Sequence, residues 1–155
     1  MESSIAPREA FPPRIAALIP LVLLVHQVEE WFGGFPEWTQ SVVGDGVEPE
    51  QFLVINAVGL VLFSVWTLAA FRAPRMAWIA AALAALLGLN GLVHAGATLL
   101  LGRYAPGTVT GLVLSVPFSV VVLRAAARAL PRPQVVGAVV GGVALHGMVT
   151  LIALM

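Results

Sequence analysis

The chain has 155 residues, of which 59% are hydrophobic and only 10% charged. A soluble domain carries about 25% charged residues, so the composition points to an integral membrane protein and excludes an ordinary soluble domain. Net charge is zero and cysteine is absent. There is no basic surplus for nucleic acid and there are no thiolates for disulfides or metal.

Residues 1–13 are polar and proline-rich, with Pro7, Pro12 and Pro13, and read as a short cytoplasmic tail. An apolar segment follows, from about Arg14 to Phe32. Its Ile15–Val25 core has the length of a signal-peptide h-region. No small-residue cleavage site follows it, so an uncleaved helix is expected. Pro20 predicts a kink, which a bundle tolerates. Residues 33–51 read as a loop whose charges, Glu37, Asp45, Glu48 and Glu50, are all acidic. Trp31, Phe32, Phe35 and Trp38 suit an interfacial aromatic belt.

Four further spans are expected at about 52–71, 76–101, 108–123 and 134–155, near the roughly 20 apolar residues a bilayer core requires. Arg72-Ala-Pro-Arg75 and Gly102–Gly107 make turns, and Pro117 predicts a second kink. Residues 14–155 thus form one all-α bundle of five transmembrane helices. All eight basic residues are arginine. Alternation puts Arg8, Arg14, Arg72, Arg75, Arg124, Arg128 and Arg132 on one side, with only Arg103 opposite. The positive-inside rule then places the N-terminus in the cytoplasm and the C-terminus outside, in a multi-pass protein of the cell membrane. Gly88, Gly91 and Gly96 in the third span, and Gly137 and Gly141 in the fifth, suit close helix packing within the bundle or in a homo-oligomer.

Within this apolar frame, Val25-His26-Gln27-Val28-Glu29-Glu30-Trp31 places a histidine and two carboxylates inside the first span. Glu29 and Glu30 lie three and four residues after His26, so both are expected to flank it on one helix face. Ionisable groups at bilayer depth are costly and mark a function. With about 1.5 Å rise per residue, His26, His94 and His146 each fall roughly 9–14 Å below the outer boundary, on three different helices. Asn90 shares a face with His94, and Asn56 lies just over a turn into the second span. The expectation is a polar pocket in the outer half of the bundle. Glu29, the deeper acid, is the harder to explain away, whereas Glu30 is near enough to the interface to reach headgroups. Asn56 and Asn90 read most simply as interhelical hydrogen-bonders and Tyr104 as an interface anchor. Ser64, Ser115 and Ser119 read as helix-packing residues.

His26-x-x-Glu29-Glu30, the further histidine His94, and Tyr104-x-Pro106-Gly107, in that order, resemble the HXXEE-domain family of integral membrane proteins. The resemblance spans residues 14 to about 125. It implies that His26, Glu29, Glu30, His94, Tyr104, Pro106 and Gly107 belong to the family's motifs, and it names no activity, since the family's function is unknown. His146 is outside those motifs.

Three functions fit these residues. A metal-dependent membrane enzyme would use His26, His94 and Glu30 as ligands to zinc, or to non-haem iron or manganese. Glu29 would be a further ligand or the general base, and His146 would complete the shell. Its substrate would be lipid-like or otherwise hydrophobic. A metal-free isomerase or cyclase would use Glu29 or Glu30 as acid, with His26, His94 and Tyr104 sharing the proton traffic. A carrier of protons, ions or small solutes is the third. It is disfavoured because no internal repeat is visible and the inner half is sealed by Leu, Val and Ala.

Overall fold

The computed structural model describes residues 9–73 and 76–153. Most of the expected tail 1–13, together with Arg8, Pro74, Arg75 and the last two residues of the fifth span, lies outside them. The fold is all-helical. Five helical segments are long and apolar enough to cross a membrane: Pro13–Phe32, Pro49–Arg72, Ala77–Leu101, Thr108–Ala129 and Arg132–Ala153. These are referred to as the first to fifth spans.

Proline shapes two of them. The first span is interrupted at Ala17 and Leu18, between helices Pro13–Ala16 and Ile19–Phe32. Pro20 has no N–H to offer the Ala16 carbonyl, and its ring crowds that carbonyl. In the fourth span the helix widens into a π-helical turn over Gly111–Ser115, just before Pro117. The Val116 N–H reaches back five residues to the Gly111 carbonyl. Both breaks fall beside the prolines that predicted kinks.

Several boundaries differ from expectation, among them the fifth span, which begins at Arg132 rather than at 134. The second span begins at Pro49, because proline suits the first turn of a helix, where no N–H is needed. The fourth runs on to Ala129, so Arg124 and Arg128 lie in its last turns rather than in a connection. The acidic loop is not all loop: Phe35–Val43 is a helix. Gly34, at φ +74°, turns the chain sharply after the first span, and Pro36 opens the new helix. In the sequence these two residues read as breakers; here they are the start signal. The Thr39 hydroxyl donates to the Pro36 carbonyl at 2.7 Å and accepts the Val47 N–H at 3.0 Å, folding the rest of the loop back onto this helix.

The third span is the centre of the bundle. Within its most apolar stretch 67% of residues are buried, against 11% for the fifth. It packs against the fifth and fourth spans most extensively, and also against the second and first. Small residues permit this. A side-chain carbon at Gly91 would stand 2.7 Å from the Gly111 carbonyl oxygen, and one at Gly142 would overlap the Ala82 carbonyl. The Ser119 hydroxyl donates to the Ala84 carbonyl, tying the fourth span to the third. Ile19, Leu23, Phe63, Ile79, Leu83 and Leu87 fill the apolar half of the bundle.

Candidate metal centre

The HxxEE segment occupies the last two turns of the first span. Neighbouring residues on an α-helix point about 100° apart, and the two glutamates part company accordingly. Glu30 turns into the bundle and is 7% exposed, beside His26 at 1% and His94 at 5%. Its Oε1 is 3.0 Å from His94 Nε2 and 3.5 Å from His26 Nε2. The two imidazoles meet edge to face, with centroids 5.1 Å apart. One donor atom from each of His26, Glu30 and His94 lies within 4.8 Å of the others. Glu30 therefore turns inward and does not reach out to headgroups, the simpler alternative that its place near the helix end leaves open. Two residues before the end of its helix, it is held inward between two imidazoles.

Glu29 goes elsewhere. It is half-buried and does not share the face of His26 and Glu30, contrary to expectation. Its carboxylate sits against the N-terminus of the fourth span. Oε1 accepts the N–H groups of Gly107 at 3.2 Å and Val109 at 2.9 Å, and Oε2 accepts that of Thr110 at 2.5 Å. The Tyr104 hydroxyl also donates to Oε1. These amides are the orphan donors of a helix start, and an anion is favoured there by the helix dipole. Partial burial and the bond to Glu29 together push the Tyr104 phenol up to about 12. Tyr104 is thus a partner of Glu29 and not simply an interface anchor.

The Gly102–Gly107 turn roofs the centre. Gly107, at φ +98°, is pressed so close that a side-chain carbon would come within 2.9 Å of His26 and 3.0 Å of His94. Pro106 packs on Gly33 in the same way. Phe35 covers His94 from the short helix, with ring centroids 5.4 Å apart, and stacks with Trp38 at 5.9 Å. These aromatics were read as a belt. Phe35 at least is also a wall of the site.

A hydrogen-bond chain fixes the proton positions on His26. His146 Nε2 donates to Asn90 Oδ1 at 3.1 Å, and Asn90 Nδ2 faces His26 Nε2 at 2.7 Å. The amide can only donate from that nitrogen, so His26 Nε2 is an acceptor and Nδ1 carries the proton. Nδ1–H donates to Thr110 Oγ1 at 2.8 Å. Because His26 Nε2 has no proton to give, its 3.5 Å approach to Glu30 is a contact without a hydrogen bond. His94 donates to Glu30 instead. His146 thus joins the site through Asn90 and is not one of the three grouped donors. Asn56 stands apart: its side-chain amide donates to the Phe52 carbonyl on its own helix at 2.9 Å, while its backbone carbonyl accepts from Gln27 Nε2 at 3.2 Å.

Thr110 is the site residue that sequence reasoning missed. Its only sequence signal is its place three residues after Gly107, in the first turn of the fourth span.

The sequence model described as a protein of unknown function with HXXEE motif matches residues 17–122. The chain belongs to the HXXEE family. No curated protein matches it, and no solved structure does. The match takes in every residue of the HXXEE cluster and its Tyr-x-Pro-Gly roof, and ends before the fifth span, which carries His146. The name of the family marks two glutamates, and in this member they have different surroundings: one among imidazoles, one among backbone amides.

The three grouped donors fit a divalent metal. Around tetrahedral zinc, ligand atoms at 2.0–2.1 Å stand about 3.3 Å from each other. The 3.0 and 3.5 Å separations from Glu30 to the two histidines bracket that figure. Two neutral imidazoles and a carboxylate sum to one buried negative charge. Among the described residues no arginine pairs with Glu30, whose carboxylate faces only the imidazoles of His26 and His94. A buried carboxylate without a compensating cation is strongly unfavourable.

Proposed function

We propose that this HXXEE protein is an integral membrane metalloenzyme of the cell membrane, with His26, Glu30 and His94 holding one divalent metal. Zinc fits best, with non-haem iron or manganese as the alternatives. The observation that carries the reading is the buried two-histidine, one-carboxylate group in which one donor atom from each residue lies within 4.8 Å of the others. Two imidazoles and a glutamate are also the ligand set of several zinc hydrolases, which keep the fourth position for water or substrate. A metal so held supplies Lewis acidity and lowers the pKa of bound water. The protein's own part is to orient His26, to exclude bulk water beneath the Gly102–Gly107 roof, and to hold Glu30 between the two imidazoles. Because the centre lies between apolar spans, the substrate class that can reach it is lipid-like or otherwise hydrophobic.

One observation favours a second reading. Without a metal, His94 and Glu30 already form a 3.0 Å hydrogen-bonded acid–base pair. An isomerase or cyclase could use that pair to protonate a hydrophobic substrate without any ion.

Metal analysis of the detergent-purified protein separates the two. Wild type is expected to carry about one equivalent of metal, lost in His26→Ala, Glu30→Ala and His94→Ala. A folded wild type that is metal-free, and takes up none of the three metals on reconstitution, would leave the acid–base reading in its place.

A further inference from the structure

The HXXEE motif's first glutamate has so far only a structural description, as the cap of the fourth span. We propose that Glu29 and Thr110 are positioning residues that hold the proton of His26 on Nδ1 and so keep its Nε2 lone pair, which accepts from the Asn90 amide in this structure, for the centre. The inference rests on the metal reading for its purpose, though not for its geometry.

The argument follows the bonds. Glu29 holds the roof and the start of the fourth span together: it accepts from the Tyr104 hydroxyl and the Gly107 N–H of the roof, and from the N–H groups of Val109 and Thr110. The tightest of the backbone bonds, at 2.5 Å, is to Thr110. The Thr110 hydroxyl is the acceptor for His26 Nδ1–H at 2.8 Å. The chain therefore runs from carboxylate to threonine to imidazole, and ends at Nε2 beside Glu30 and His94. Imidazole ligands in metal sites are held in just this way, by a partner on the second nitrogen that sets tautomer and ring orientation. His26 and Glu29 are three residues apart on one helix, yet their link passes through the fourth span. The arrangement also accounts for the joint presence of His-x-x-Glu-Glu and Tyr-x-Pro-Gly in one chain. Glu29 needs the turn that Tyr104, Pro106 and Gly107 build, and Thr110 needs Glu29.

The test uses the full chain in detergent, with histidine nitrogens labelled, and Zn²⁺ alone as the probe. Wild type without metal should show His26 as a single Nδ1–H tautomer in its nitrogen spectrum. Thr110→Val keeps the shape and removes the acceptor. It should mix the tautomers and weaken Zn²⁺ binding roughly 10–100-fold, at unchanged stoichiometry. Thr110→Ser should restore both. Glu29→Gln should act in the same direction as Thr110→Val, with His94 signals left in place. A Thr110→Val protein with the wild-type tautomer and wild-type Zn²⁺ affinity would overturn the proposal. If wild type binds no Zn²⁺, the metal reading falls, and the tautomer change alone decides whether Glu29 and Thr110 orient His26.

Discussion

At the scale of single residues, the roof over the centre makes two predictions. Gly107 has a backbone conformation that strains any L side chain, at about 1–3 kcal/mol, and it presses on both ligand imidazoles. Gly107→Ala should therefore lower stability by about 2–4 kcal/mol, combining strain with overpacking, and should cost metal. Gly102 also has a positive φ, +62°, but a side chain there would meet nothing within 4 Å. Gly102→Ala should cost only about 1–2 kcal/mol and keep the metal. Thermal melts and metal content of the two variants isolate the contact with the histidines. Tyr104, the protein's single tyrosine, gives the second. Its phenol is raised to about 12 in the folded protein, above the ordinary value of about 10. The folded state thus holds this proton more tightly than the unfolded chain. The stability it contributes is complete below about pH 10 and is lost as pH rises through about 12. Phenolate absorbance should give a midpoint near 12 in wild type, lower in Glu29→Gln. Tyr104→Phe should abolish that part of the alkaline destabilisation.

At the scale of elements, the glycines show what was legible and what was not. Gly88, Gly91, Gly137 and Gly141 all read from the sequence as helix-packing residues. Gly91 meets the backbone of Gly111, and Gly88 meets Ser119. Gly137 and Gly141 look into open space. Sequence spacing says that a face is smooth; it does not say how the helix is rotated about its axis, and that rotation decides what the face meets. The same reason hid the parting of Glu29 and Glu30. Their spacing from His26 was readable, but the fourth span's N-terminus, which draws Glu29 away, is remote in sequence. It also hid Thr110, whose role exists only where two helices meet. The span count, the proline breaks and the common level of the histidines were readable because they depend on length and rise alone. The consequence for packing is testable. In a membrane, helix association depends on close contact rather than on the hydrophobic effect. Gly91→Val must separate the third and fourth spans and should cost about 2–3 kcal/mol. Gly141→Val should leave the melting of the single chain unchanged in detergent. Equal effects of the two would contradict the packing around the third span.

At the scale of the whole molecule, most of the positive charge and the site lie at opposite ends. Arg14, Arg72, Arg124, Arg128 and Arg132 all belong to the ends that helix alternation brings to one side. Arg103 is at the other, where it donates to Ser41 on the short helix at 2.7 Å. The centre belongs to this second end, because the Gly102–Gly107 roof touches both His26 and His94. If positive charge is retained in the cytoplasm, the prediction is that the centre faces away from it, beneath a loop carrying Glu37, Asp45, Glu48 and Glu50. The absence of native cysteine makes this testable with single-cysteine variants. Asp45→Cys, on the exposed loop, should react in intact cells with a thiol reagent that cannot cross the membrane. Ala127→Cys, exposed in the arginine-bearing turns of the fourth span, should react only after the cells are permeabilised. The reverse pattern would turn the molecule over and place the centre towards the cytoplasm. With the expected pattern, a chelator confined to the outside should compete for the metal of intact cells, because the roof, and not the sealed apolar half of the bundle, is the nearer route to His26, Glu30 and His94.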